Sequence, residues 1–168
     1  GYGGIGRQVA KLGKVFGMRV TGVRRNPQDD EYADEVLGLD QFEELLPLTD
    51  YLVLALPDSS KTRDIINADI LKKLNSSAVL INVGRGTAIN EEDLTNALND
   101  GKIAAAALDT TKVEPLDANS SLWTAKNCFI SAHDSAHSLL SLERAFELFF
   151  QNLKNIKDGN QIVNLYSE

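Results

Sequence analysis

The sequence predicts a doubly wound α/β fold built on a mostly parallel sheet, and three observations carry that prediction. Gly1-Tyr2-Gly3-Gly4-Ile5-Gly6 is a G-x-G-x-x-G run that leads straight into a helical pattern. Apolar runs of strand length at residues 51–56, 78–83 and 103–108 alternate with helical segments, the pattern of parallel strands joined by crossovers. Each run then ends in a turn-forming or charged residue, and in such sheets ligands bind outside the carboxyl ends of the strands.

Taken in order, Ile5, Val9, Leu12 and Phe16 recur at near-helical spacing. They give an amphipathic helix of about three turns, stopped by Gly17. Residues 19–23 alternate and are rich in β-branched side chains, so they read as a strand. Arg24-Arg25-Asn26-Pro27 closes it, because proline cannot continue a central ladder. The acidic stretch 28–35 reads as a solvated surface with a short strand near Val36. Residues 41–46 predict a brief helix halted before Pro47.

The apolar run 51–56, ended by Pro57, predicts a strand buried on both faces. Residues 68–74 read as a short helix and 78–83 as a second buried strand, broken by Gly84-Arg85-Gly86. Asn90 with Asp93 three residues later resembles a capping pattern for a helix over 91–100, ended by Gly101. Residues 103–108 form a third buried strand that runs into Asp109. A polar loop containing Pro115 leads to Trp123 and a last strand at 128–130. Residues 139–157 read as a long helix with apolar positions at Leu142, Phe146, Phe149, Phe150 and Leu153.

The chain has 168 residues, 43% hydrophobic and 24% charged, enough for one domain with a real core. Its 24 acidic and 17 basic side chains give −7, which argues against a nucleic-acid-binding surface. The apolar runs are far too short to span a membrane, so no membrane partner is expected. Cys128 is the single cysteine, which rules out an intrachain disulfide and fits a reducing, cytoplasmic setting. His133 and His137 are four residues apart with no nearby thiolate, a poor zinc signature, so no metal is expected and His137 reads as peripheral.

Arg24, Pro57, Arg85, Asp109 and His133 all fall just past predicted strand ends, on one rim. The glycine run suits a cofactor phosphate. Its first glycines let the backbone turn tightly and approach a pyrophosphate, and the following helix offers unpaired N–H groups and a positive dipole end. Four motifs then occur in order along essentially the whole chain: the glycine run, Asn82-Val83-Gly84-Arg85-Gly86, Ala107-Leu108-Asp109 followed by Glu114-Pro115-Leu116, and Ser131-Ala132-His133. Together they resemble the D-isomer-specific 2-hydroxyacid dehydrogenase family. The resemblance implies a Rossmann-like nicotinamide-binding domain over residues 1–168, set beside a separate substrate domain. That domain and the strand before the glycine turn are expected upstream of Gly1. The last helix and residues 162–165 resemble the family's C-terminal ending. The helix is expected to pack on the absent domain or on a partner subunit, and the resemblance suggests a homodimer.

The resemblance also assigns roles. Arg85 would orient the substrate, since a guanidinium fork matches the planar carboxylate of a 2-oxo acid and its charge stabilises the developing oxyanion. His133 would be the acid/base, imidazoles in general titrating near working pH at about 6.5. Glu114 would hydrogen-bond the imidazole and favour its charged form. The cofactor would meet Gly1, Gly3, Gly4, Ile5 and Gly6, then Pro57 and Thr62, then Val83 and Gly84. Asp109 would meet the nicotinamide carboxamide, with a helix or turn cap as its structural alternative. Lys112 and Val113 depart from the family's more acidic or small residues, and Asp134 stands where an apolar residue is common. Asp134 is expected to face away from an anionic substrate.

The end of the 19–23 strand is informative. An NAD site usually carries Asp or Glu there, whereas arginine accommodates the 2′-phosphate of NADP. Arg24-Arg25-Asn26 stands at that place, so the sequence predicts NADP(H), with NAD possible. The alternative, two solvated arginines balancing the acidic stretch, stays open at this point. The function implied is reduction of a small 2-oxo acid such as glyoxylate, hydroxypyruvate or a branched 2-oxo acid, with the fragment alone inactive. A nucleotide-sensing interaction protein of the corepressor type is the alternative.

Overall fold

The computed structural model describes residues 1–164, which fall into two compact units, Gly1–Ala132 and the stretch from His133 onward. In the first unit β1 (Thr21–Val23) pairs with β2 (Glu35–Leu37). A second sheet runs β3 (Tyr51–Leu54), β4 (Val79–Asn82), β5 (Ala105–Leu108) and β6 (Cys128–Ile130) in that order. Every pair is parallel, so the carboxyl ends of β3 to β6 share one rim. No strand among the described residues joins β1 to β3. The turn at Gly1 and Tyr2 stands between them: the Tyr2 amide donates to Val23 O at 2.8 Å, and Gly1 lies against Ala55 and Leu56.

Most helix starts fall where local chemistry predicts, but the helix expected over 68–74 ends at Leu71. α1 (Gly4–Val15) follows the glycine turn and is closed by Gly17, whose φ of 74° is open to glycine at little cost. The short α2 (Phe42–Leu45) lies between two 3-10 turns, and the second of these, Leu46–Leu48, runs through Pro47 instead of stopping before it. Proline is tolerated there because the first amides of a turn need no internal acceptor. Asn67 Oδ1 caps α3 (Ala68–Leu71), accepting from the Asp69 and Ile70 amides at 3.0 and 3.2 Å. Asn90 Oδ1 caps α4 (Glu91–Asn99) through the Asp93 amide at 3.2 Å, as the spacing predicts.

Leu80, Ala106 and Leu108 of the sheet pack with Ile70 and Leu71 of α3 and Leu94 and Leu98 of α4. Burying each such leucine contributes about 1.5–3 kcal/mol. The expectation of strands buried on both faces is corrected here. Burial alternates along β4 and β5, with Val79, Ile81, Ala105 and Ala107 only half-buried, because α3 and α4 cover one face. The strands are also shorter than the apolar runs. Before β1, the Val20 amide is taken by Asp34 Oδ2 at 2.7 Å instead of a ladder partner.

In the second unit α5 (Ser141–Lys157) begins two residues later than residues 139–157 predict. The Ser141 hydroxyl instead closes a turn, accepting from the Ser138 amide and donating to Ala136 O, both at 3.0 Å. The tail folds back on the helix. Asn152 exchanges two hydrogen bonds with the Val163 backbone at 2.9 and 3.0 Å, and buried Asn155 donates to Gln161 O at 2.9 Å. Phe146, Phe149, Phe150 and Ile156 are exposed. Leu165, compared above with a family ending, lies outside the described residues. Among those described, no helix is long and apolar enough to cross a membrane.

Candidate active site

The glycine turn prepares the α1 terminus for an anion. Gly3 is its extended N-cap and supplies no side-chain cap, and the first helical bond runs from the Arg7 amide to Gly3 O at 2.9 Å. The earlier amides of Gly4, Ile5 and Gly6 therefore have no intrahelical acceptor. At Gly6 an added Cβ would lie 2.2 Å from Gly1 O, so only glycine closes the turn, whereas Gly3 and Gly4 border open space. That combination of tight backing and open front fits the approach of a pyrophosphate.

The loop after β4 is held from beneath. Asn82 is fully buried at the strand's end, its Oδ1 accepting from the Gly84 amide at 3.0 Å and its Nδ2 donating to Arg85 O at 3.1 Å. Arg85 is thereby fixed in extended backbone with an exposed side chain, whose Nη1 donates to Gly84 O at 2.9 Å. At Gly86 a Cβ would sit 2.0 Å from the Thr111 carbonyl carbon, so the Arg85 loop lies directly on the segment after β5. In that segment the Thr111 amide donates to Glu114 Oε1 at 3.1 Å and the Thr111 hydroxyl to Val113 O at 2.9 Å. Lys112 Nζ reaches both Asp64 oxygens at 2.9 and 3.2 Å, and its amide donates to Glu91 Oε1 at 2.6 Å. The departure at Lys112 is thus a tether for the loop that carries Glu114.

Asp109 is buried at the end of β5 and accepts from Ser131 Oγ at 2.6 Å. Pro57 is exposed after β3, and its carbonyl accepts from Thr62 Oγ1 at 2.7 Å, so the Thr62 hydroxyl closes this loop. Val83 is half-buried and its amide donates to Leu54 O at 3.0 Å. The first unit therefore brings Arg85, Glu114, Asp109, Pro57, Thr62, Val83 and Gly84 to the loops of one rim. His133 opens the second unit, exposed and with φ 56°.

Arg24 and Arg25 are exposed after β1, and no ion pair among the described residues engages either. The acidic stretch is largely exposed, as expected of a solvated surface, but acids within it pair with α1 and not with Arg24 or Arg25. Asp30 binds Arg7 at 2.6 Å and Asp34 binds Lys14 at 2.6 Å. The Arg7 hydrogen bond holds the Asp30 carboxyl below the usual carboxylate range, and burial, followed by Asp30 itself, pushes the Tyr2 phenol up to about 12. Sequence reasoning also missed Asn82 and Thr111 as builders of the site. The signal was available at Asn82, since a polar residue inside an apolar strand is costly unless its amide is fully used.

A bare helix terminus behind a glycine turn, at the carboxyl edge of a parallel sheet, defines a dinucleotide-binding α/β domain. The profile of the family described as "D-isomer specific 2-hydroxyacid dehydrogenase, NAD binding domain" matches residues 1–135, and the chain belongs to that family. It is 40% identical over 134 residues to the human glyoxylate reductase/hydroxypyruvate reductase, covering 79% of this chain and 41% of that protein. It is 34% identical to the hydroxypyruvate reductase of Blautia hydrogenotrophica, covering 96% and 50%. Among solved structures, the NADPH-dependent glyoxylate/hydroxypyruvate reductase of Sinorhizobium meliloti, in complex with NADP and sulfate, superposes with a TM-score of 0.89 at 28% identity over 99% of this chain and 54% of that one. The chain spans about half the length of the relatives it matches.

Proposed function

We propose that this chain is the cofactor-binding part of an NADP(H)-linked reductase of small 2-oxo acids, glyoxylate and hydroxypyruvate being the first substrates to try. The observation that carries the reading is Arg85, presented from a loop clamped by Asn82 beneath and Thr111 beside it, at the rim that also bears the glycine turn. Its guanidinium binds the substrate carboxylate and steadies charge growing on the neighbouring carbonyl oxygen. A bound reduced nicotinamide supplies hydride to the carbonyl carbon. His133 gives its proton to the carbonyl oxygen and takes it back in the oxidising direction, with Glu114 orienting the ring. Asp109 receives the carboxamide of the nicotinamide. Unpaired Arg24 and Arg25 support the preference for a phosphorylated ribose, since a carboxylate at that place would repel it.

The break between β1 and β3, with Gly1 and Tyr2 between their carboxyl ends, supports a further parallel strand between them from outside these 168 residues. A separate substrate domain closes over the rim, and the exposed aromatic side chains of α5 pack on that domain or on the second subunit of a homodimer. The protein works in the cytoplasm, without nucleic acid or membrane. Because orientation and closure supply several kcal/mol, about 7–11 in favourable cases, the chain alone is inactive. NADPH consumption with a panel of 2-oxo acids tests this on the full-length protein and on the 168-residue chain in parallel. Turnover by the former only is expected. No turnover with any acid by the full-length protein overturns the activity, and equal turnover by the chain alone overturns the division of labour.

A further inference from the structure

The glycine turn is joined to the segment after β1 by a network that the proposed reaction does not use. Tyr2 is 6% exposed, its ring lying on Gly22 of β1 so closely that a Cβ there would fall 2.6 Å from the ring. The Tyr2 hydroxyl donates to Asp30 Oδ1 at 2.9 Å, and Arg7 Nε of α1 donates to Asp30 Oδ2 at 2.6 Å. The Tyr32 amide adds a third bond to Asp30 Oδ1 at 3.0 Å. Arg7 also binds Glu31 at 3.0 Å and stacks over the Tyr32 ring at 4.5 Å. One carboxylate thus gathers donors from the phosphate turn, from the helix behind it and from its own loop.

Between Val23 and Asp30 the side chains are exposed. This loop is fastened at its start by the Arg24 amide on Leu37 O at 3.0 Å and at its far end by Asp30. Arg24 is near enough to Tyr2 for its charge to act on the phenol. The α1 cations beside this loop are engaged, Arg7 by Asp30 and Glu31 and Lys11 over the Tyr32 ring at 5.3 Å. Arg24 and Arg25 are left as the available cations, and where they stand relative to the turn depends on the loop's two fastenings.

We propose that Asp30 is a positioning residue for cofactor choice: by bonding Tyr2 and Arg7 it sets the arginine loop against the glycine turn, so that one ligand spans both with its 2′-phosphate on the arginines. This rests on the NADP(H) reading above. A loop released at Asp30 keeps both arginines but must order them on binding, and that loss falls on the 2′-phosphate.

The test is calorimetric titration of the full-length protein with 2′,5′-ADP and with 5′-AMP, neither of which requires turnover. The wild type is expected to prefer 2′,5′-ADP by about tenfold or more. Asp30→Ala is expected to lower that preference about threefold or more, with 5′-AMP affinity changed less than about twofold. Asp30→Asn keeps an acceptor for Tyr2 and Tyr32 but turns a donor toward Arg7 Nε, and is expected to restore only part of the preference. Tyr2→Phe deletes a single hydroxyl and carries the same expectation as Asp30→Ala, so it decides the matter if Asp30→Ala fails to fold. A preference unchanged in the folded variants, or equal losses for both ligands, overturns the positioning role. A wild type that binds the two ligands equally overturns the NADP(H) reading itself, and the role of Asp30 with it.

Discussion

Ser131 Oγ donates to Asp109 Oδ1 at 2.6 Å, tying the end of β6 to the end of β5 where the rim begins. Asp109 is 6% exposed, so this donor serves a carboxylate largely removed from water. Hydrogen bonds to charged groups are worth about 1.5–3 kcal/mol. Ser131→Ala is expected to lower unfolding free energy by about that amount, seen as an earlier urea midpoint with unchanged slope. A midpoint at the wild-type value would mean that the bond contributes nothing net.

The neighbouring Thr110 runs the other way. Its Oγ1 is buried and has no hydrogen-bond partner among the described residues. An unsatisfied buried hydroxyl costs about 1–3 kcal/mol, and valine keeps its shape without the polar atom. Thr110→Val is therefore expected to raise the melting temperature, by the equivalent of about 1 kcal/mol. A lower melting temperature would show that the hydroxyl is satisfied in solution.

Asp34 gives a pH signature. Its carboxylate accepts from Lys14 Nζ at 2.6 Å and from the Val20 amide at 2.7 Å, and these two, the lysine first, hold it below its ordinary value. The unfolded chain therefore takes up this proton first as pH falls, from about 4. The stabilisation is present above that pH and is lost as pH falls through the folded value. Asp34→Asn is expected to be less stable than wild type at neutral pH and to approach it below about pH 4 in thermal melts. A gap that stays constant across this range would remove Asp34 from the acid transition.

Much of this was legible in the sequence because it is local. The period of 3.6 in α1, the cap at Asn90 and the β-branched run before Arg24 each follow from residues within a few positions. The rim was legible because strand ends fall at prolines, glycines and charges. What the sequence did not disclose depends on partners far along the chain. Asp30 reaches Tyr2 and Arg7 across 28 and 23 residues, and Lys112 reaches Asp64 across 48. Composition reads such acids as surface. One-sided burial of β4 was equally hidden, since an apolar run is identical whether one face is covered or two.

Arg85 and His133 should separate in steady-state kinetics of the full-length protein. In the proposed reaction Arg85 would bind the carboxylate both before and during hydride arrival, so its loss would weaken the ground state and the transition state together. Arg85→Ala is expected to raise the KM of the 2-oxo acid and also lower kcat, with kcat/KM down by about a thousandfold. Arg85→Lys keeps the charge but not the planar fork, and should recover only part of that loss. Proton donation by His133, as proposed, would matter chiefly in the transition state, so His133→Ala should lower kcat by about 10²–10⁴ with KM changed little. The NADPH affinity should be nearly wild type in all three variants, because the glycine turn and the arginine loop are untouched. If Arg85→Ala altered only cofactor affinity, the guanidinium would belong to the nucleotide site, and the carboxylate would need another partner.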